Sequence, residues 1–315
     1  VTLPIPIVID TDPGIDDALA LILAARWDKC ALKVVTTTYG NNTLDVTTRN
    51  ARHILGRVGV KAMVLQGAGR PLSRALLTAK ETHGESGLGD HTLPAPPALA
   101  PSPTALRDAL RAAGESITLI TLGPLTNLAL ALMSDAAFVK SRVARHVAMG
   151  GNLEAAGNMG PHSEFNVWCD PEAADIVLRA DLGTELVGLD VTRQLVVPAA
   201  AVHKLATHQD EDAKWLGRLL GFYVRFHHEA EGLKGAVIND PLAIALAIEP
   251  SWGGADAVPV RVDLSDGELR GRTARGAART DPTVRVYRRF DIPRVHDLLL
   301  AHLFGRWLTR SDFAA

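Results

Sequence analysis

Two cysteines in 315 residues, Cys30 and Cys169, are too few and too far apart for a disulfide framework or a thiolate metal site. A reducing compartment is therefore the economical assumption, and a cytoplasmic location is expected. No uncharged apolar run reaches the roughly eighteen residues a membrane helix needs, so no membrane partner is expected. Charge of one sign is also lacking. A formal net charge of -2 carries no electrostatic footprint for nucleic acid. The local exception is RGRTARGAAR, residues 270–279, whose four arginines have no interleaved aromatics and read as a solvated hairpin. No charged segment followed by an apolar stretch and cleavage site opens the chain. Because Val1 stands where Met is expected, a leader removed before it is left open.

What is present begins with the alternation of elements. IPIVID, LKVVTTTYG, KAMVLQG, ITLITLG, HVAMGG and TELVGLD are strand-like. Helix-like segments stand between them: DDALALILAAR, LDVTTRNARHIL, LTNLALALM and PEAADIVLRA. That order predicts β-α-β units around a mostly parallel sheet, and the near-continuous apolar character of the strands predicts helices on both faces. From 199 to 248 the pattern is helical, including a helix over 213–229 and another over 241–248. Two or three strands follow over 258–290, with turns at Asp266-Gly267 and Asp281-Pro282, and a last helix is predicted from Pro293 to Thr309. Residues 84–103, with five prolines, read as a long loop. With no convincing internal boundary, residues 1–315 are expected to form one domain.

The first strand runs into IDTDPGIDDALAL, which places Asp10, Asp12, Asp16 and Asp17 within eight positions. Asp10 and Asp12 are two apart and project to one side of the strand, while Asp16 and Asp17 fall in the first turn of the next helix, where the helix dipole favours anions. First-turn aspartates are ordinary. The pair before the turn is not, because like charges this close need a cation or a substrate rich in donors. All-oxygen ligation favours Mg2+ or Ca2+ over zinc. Other strand ends add polar groups where open α/β sheets bind ligands: Asn41 after TTTYG, Thr126 and Asn127 in TLGPLTN, Met149 and Asn152 in VAMGGN. Asn158, Glu164 and Asn166 follow in GNMGPHSEFN, and Asn239 and Asp240 in VINDP. Singly each is a common turn or cap; five at corresponding strand ends mark a site.

In order along the chain, DTDPGIDDALA, TTxxGN, GPLTNLA, MGG, GNxxxxxEFN, DPEAA and DPLA resemble the inosine-uridine-preferring nucleoside hydrolase family. The resemblance implies an α/β domain, with its site at the C-terminal strand ends, that hydrolyses the N-glycosidic bond of a small ribonucleoside with bound Ca2+. It implies assembly as a homodimer or homotetramer. Carried over by position, Asp12, Asp17, Asp240 and the backbone carbonyl of Thr126 would hold the ion, and Asp12 would deprotonate the attacking water. Asp16, Asn41, Asn158, Glu164 and Asn166 would grip the ribose hydroxyls, with Met149 against the sugar and Asp10 orienting the cluster. The residue types suit this chemistry, since a cationic, oxocarbenium-like sugar is stabilised by carboxylates and amide oxygens.

The sequence departs from the family at the leaving group. Many members carry His before the late Asp, and here Asn239 stands there, which cannot act as a general acid at pH 7. His83, in THGESGLGD, matches a family position in the loop beside the base. Tyr223 and His227 are four apart and share one helix face. His83 and His227 are thus candidate proton donors, while Trp168 and Trp215 read as core. Two other readings remain. A non-catalytic nucleoside- or calcium-binding protein would explain the missing His. An aspartate-nucleophile phosphatase also begins with Asp-x-Asp, but it needs Thr or Val where Gly14 stands, and a downstream Lys and acidic pair that the sequence does not present.

Overall fold

In the computed structural model, which describes residues 3–96, 98 and 100–314, the opening apolar run forms strand β1 (Ile5–Thr11). Its side chains alternate between two cores. Ile7 and Ile9 enter one and Val8 the other, so both faces of the strand are covered, as its unbroken apolar character requires. Helix α1 (Ile15–Arg26) follows and is buried from Ile15 to Ala24. It leads to β2 (Cys30–Thr37), α2 (Leu44–Arg57) and β3 (Met63–Gln66). A short α3 (Lys80–His83) and α4 (Ala105–Ala113) then lead to β4 (Ile117–Thr121). After them come α5 (Thr126–Arg142), β5 (Val143–Met149), α6 (Phe165–Cys169), α7 (Pro171–Arg179), β6 (Glu185–Val187) and α8 (Leu189–Thr192).

The second half holds β7 (Val196–Pro198), α9 (Ala199–Ala206), α10 (Glu211–Glu231), β8 (Gly235–Val237) and α11 (Asn239–Ile248). It finishes with β9 (Gly253–Val262), β10 (Thr273–Arg275), β11 (Thr283–Phe290) and α12 (Ile292–Leu299). Nine strands form one sheet in the order β10-β9-β11-β6-β5-β4-β1-β2-β3. From β3 through β11 every neighbouring pair is parallel; at the edge β9 runs antiparallel to both β11 and β10. This is the mostly parallel α/β sheet flanked by helices that the sequence predicts.

The order has one consequence for function. The chain steps from β1 to β2 to β3 in one direction, then returns to the other side of β1 and continues through β4, β5 and β6. Where the direction reverses, the loops leaving β1 and β4 diverge and open a crevice at the C-terminal strand ends.

Several boundaries differ from the sequence reading. Helix α10 is longer than 213–229, because Asp210 caps it by accepting from the Asp212 and Ala213 amides at 2.8 and 3.2 Å and Gly232 ends it in the left-handed region at φ 68°. The segment 199–248 is not wholly helical: β7 and β8 pair there as a small antiparallel sheet. The last helix does not run from Pro293 to Thr309. It gives way at Leu299 to a π-helical turn, Leu300–Phe304, whose wider spacing brings both Leu303 and Phe304 into the core. Helix α4 lay unread, although Gly114 at φ 74° marks its end. The long loop after His83 stands as read over its described residues; Pro97 and Leu99 lie outside them, as does Val1, where the question of a leader falls. In the arginine-rich segment, Arg270 pairs with Glu172 and Arg275 with Glu154 at 3.0 Å, which leaves no free basic patch of four. Among the described residues no helix is long and apolar enough to cross a membrane.

Candidate active site

Asp10 and Asp12 leave β1 on the same side, and Pro13-Gly14 turns the chain so that Asp16 and Asp17 start α1 over the same spot. All four are buried, as is Asp240 at the start of α11. Carboxylate oxygens of Asp16, Asp17 and Asp240 lie within 4.8 Å of one another. Sequence separation hides this convergence, since Asp240 arrives from the far half of the chain.

Each carboxylate is held differently. Asp10 lies behind the others, where its Oδ1 accepts from Thr36 and, at 2.8 Å, from Asn127 Nδ2. Asp17 is a hub: Oδ1 accepts from the Thr11 hydroxyl, while Oδ2 accepts from the Gly14 amide at 3.0 Å and from Asn41 Nδ2 at 2.7 Å. Asp12 accepts the Asn41 amide at 2.7 Å on Oδ2, and its buried Oδ1 has no partner. Glycine is required around this group. A Cβ on Gly40, whose φ is +149°, would stand 2.0 Å from Asp12 Oδ2, and one on Gly123 would stand 2.4 Å from Oδ1. Two backbones therefore press on one carboxylate, and no side chain can intervene.

Desolvation is the leading cause that raises the pKa of every member. Asp10 is pushed up to about 7 and Asp17 to about 6, and Asp12 and Asp240 are raised well above the usual carboxylate range by burial and then by neighbouring aspartates. The donors within the site are too few to hold so many anions. The orphaned Asp12 Oδ1 and the all-oxygen triplet thus fit a hard divalent cation. The Thr126 hydroxyl is engaged at 2.7 Å with Asp170 and at 2.8 Å with Tyr39, so its backbone carbonyl is what this residue has left to offer an ion.

Above this floor lies a cleft. Asp16, Asn41 and Asp240 line it, as do Met149, Asn158 and Asn166. His83, Tyr223, His227 and Asn239 also line it. Asn166 is locked by donating Nδ2 to the carbonyls of Leu122 and Met149 at 2.8 and 3.2 Å. Glu164, expected to grip the sugar, is not part of the lining. As N-cap of α6 it accepts the amides of Asn166 at 2.9 Å, Gly151 at 2.9 Å and Val167 at 3.1 Å, which spends its oxygens on backbone. Asn158 sits exposed at the rim, with Oδ1 on the Phe165 amide at 2.8 Å.

Asn239 donates Nδ2 to Asp16 Oδ2 at 3.0 Å and keeps a buried, unpartnered Oδ1. His83 accepts the Ile15 amide on Nδ1 at 3.0 Å, so the neutral ring carries its proton on Nε2; burial lowers its pKa to about 3. The rings of His83 and Tyr223 lie 5.4 Å apart, and those of Tyr223 and His227 4.3 Å. His227 Nδ1 is buried without a partner. Neither tryptophan enters the cleft: Trp215 stacks on His91 at 5.1 Å and Trp168 lies under Arg74 at 4.1 Å. Arg193, Phe226 and Glu231, absent from the sequence reading, do line it. Glu231 was within reach, one turn beyond His227 on the same face; Arg193 had no local signal.

A crevice at the switch point of a parallel sheet, floored with carboxylates and walled with amides, is the architecture of an enzyme acting on a hydroxyl-rich substrate: here, a hydrolase of the N-glycosidic bond of ribonucleosides. The chain belongs to the inosine-uridine preferring nucleoside hydrolase family, whose model matches residues 7–297. It is 41% identical over 251 residues to the pyrimidine-specific ribonucleoside hydrolase RihA of Photobacterium profundum, covering 78% of this chain and 80% of that one. The RihA of Salmonella typhimurium is 37% identical over 251 residues, with the same coverage of 78% and 80%. Among solved structures, the plant nucleoside hydrolase PpNRh1 superposes with a TM-score of 0.83 at 31% identity, over 94% of this chain and 98% of that one. The purine-preferring ribonucleoside hydrolase from Gardnerella vaginalis gives 0.84 at 28% identity, over 93% and 96%. Family membership sets aside both the phosphatase reading and the non-catalytic one.

Proposed function

We propose that the chain, acting as one domain over residues 1–315, is a Ca2+-dependent hydrolase that converts pyrimidine ribonucleosides to ribose and free base. The observation that carries the reading is the buried carboxylate triplet of Asp16, Asp17 and Asp240, of which Asp16 and Asp240 line the cleft, together with the buried, unpartnered Asp12 Oδ1. The pyrimidine preference rests on the name of the relatives at 37–41% identity. A homodimer or homotetramer in the cytoplasm completes the proposal.

Asp12, Asp17, Asp240 and the Thr126 carbonyl are the residues that would hold Ca2+, with Asp16 close enough to join them. The ion, when bound, supplies the positive charge that lets these carboxylates stay ionised together and lowers the pKa of a water beside them. The protein's own groups do the rest. Asp16, Asn41, Asn158 and Asn166 hold the ribose hydroxyls, and Glu164 acts through Asn166 by fixing the start of α6. Asp12 takes the water's proton on its free Oδ1 as the water oxygen bonds to the anomeric carbon. The bond from that carbon to the base nitrogen breaks, its electron pair stays with the base, and a proton is delivered there. Asn239 has no proton to give. His227, whose Nδ1 has no protein partner, is the proposed donor, and His83, whose Nδ1 accepts from Ile15 and whose proton is on Nε2, is second.

Reducing sugar should appear from uridine and stop on adding a chelator; none appearing at any metal concentration would overturn the reading. The donor is tested separately. His227→Ala should lower turnover of uridine by about 10² or more while barely changing p-nitrophenyl riboside, whose phenolate leaves without a proton. An equal fall on both substrates would remove His227 from the role. Metal binding has its own readout: Ca2+ at a hundredfold excess over its Kd should raise stability by about 2.7 kcal/mol. Thermal denaturation should show that rise in the wild type and lose it in Asp240→Asn. A Ca2+-insensitive melting curve in the wild type would count against the site.

A further inference from the structure

Tyr223, His227 and Glu231 recur every four residues on α10 and form one stripe along the cleft wall. The stripe runs outward. Tyr223 and His227 are buried and close enough to Asp16 for its charge to act on both, whereas Glu231 ends the helix with a side chain 25% exposed. Arg193, directly after α8, meets it there: its Nη2 lies 3.2 Å from Glu231 Oε2 and donates to the Gly157 carbonyl at 3.4 Å, next to Asn158.

Stability alone is a poor account of this pair. Half-exposed ion pairs contribute about 0–1 kcal/mol, and this one lines a ligand cleft. Among the described residues only Nη2 of the guanidinium is engaged, and Glu231 Oε1 has no hydrogen-bond partner. The rim therefore presents charged donors beside a charged acceptor, in a cleft that Phe226 also lines. A nucleobase edge carries the complementary pattern, an N–H or amino donor beside a carbonyl or ring nitrogen, on a flat apolar body. With the sugar hydroxyls held on the acidic floor, the base is the part of a nucleoside that extends toward this rim.

We propose that the Arg193–Glu231 ion pair reads the polar edge of the nucleobase and so selects true nucleosides over ribosides whose aglycone lacks such an edge. This rests on the hydrolase activity argued above and adds to it the residues that recognise the base.

The test is kcat/KM for uridine and for p-nitrophenyl riboside in the wild-type protein, Arg193→Met and Glu231→Met, all loaded with Ca2+. A hydrogen bond to a charged group is worth about ten- to a hundredfold in binding, so the uridine to p-nitrophenyl riboside ratio should fall about tenfold or more in each variant. The loss should lie in KM, because a base contact made equally before and during bond cleavage is uniform binding. Glu231 closes an exposed helix end, so its variant keeps the test open should Arg193→Met fold poorly. A ratio unchanged or raised in the folded variants, with both substrates falling together, overturns the inference and leaves the activity standing. Wild-type protein that cleaves neither substrate overturns both.

Discussion

Asp12→Asn is expected to leave the protein folded and to lower uridine turnover by about two to four orders of magnitude. The amide can keep its oxygen on the Asn41 N–H, where Oδ2 now sits at 2.7 Å, and place its NH2 at the position of the unpartnered Oδ1. The site between Gly40 and Gly123 accepts that isosteric change, and it removes one buried carboxylate from a crowded cluster, so melting without metal should not fall. What disappears is the acceptor for the water's proton. The loss should be as large with p-nitrophenyl riboside as with uridine, because water activation is common to both. That equality separates Asp12 from His227, whose loss should spare the phenolate. Near-normal turnover in a metal-loaded Asp12→Asn protein would remove Asp12 from the role of base.

Substrates without a 2′ hydroxyl should be almost refused, with kcat/KM for 2′-deoxyuridine lower than for uridine by roughly 10⁴. The cleft is lined by buried polar groups. Asp16 is 4% exposed, and Asn41 and Asn166 are 7% exposed. Asn41 is tethered to Asp12 and Asp17, and Asn166 to Leu122 and Met149, so neither can turn away to find another partner when a hydroxyl is missing. A buried group left unpaired costs more than a gap in an apolar wall. Comparable constants for the two nucleosides would show that recognition rests on the base, and the Arg193–Glu231 rim would then have to carry far more of the selectivity than its partial exposure allows.

Residue type and spacing do not fix a side chain's partners. Glu164 has the residue type and spacing of a sugar ligand, and its oxygens also accept three backbone amides, two at the start of α6 and that of Gly151. His83 likewise has the type of a proton donor, and because the Ile15 amide occupies Nδ1 any proton it gives comes from Nε2. The end of the chain reads as one helix because its apolar spacing continues, and the π-helical turn at Leu300–Phe304 is a packing adjustment that periodicity does not encode.

From residue order alone follow the β-α-β alternation, the two covered faces of the sheet, and the meeting of Asp10, Asp12, Asp16 and Asp17. These are local consequences of strand pleat, helix start and a two-residue turn, so neighbours in sequence are neighbours in space. Tertiary structure alone decided three things. It placed the reversal of strand order beside β1, which opens the crevice over those aspartates. It delivered Asp240, which only the family resemblance had joined to the aspartates after β1, to within 4.8 Å of Asp16 and Asp17 from more than two hundred residues away. It set Arg193 against Glu231 at the rim. Such contacts depend on how whole elements pack, and side chains brought together by packing carry no mark of one another in the sequence.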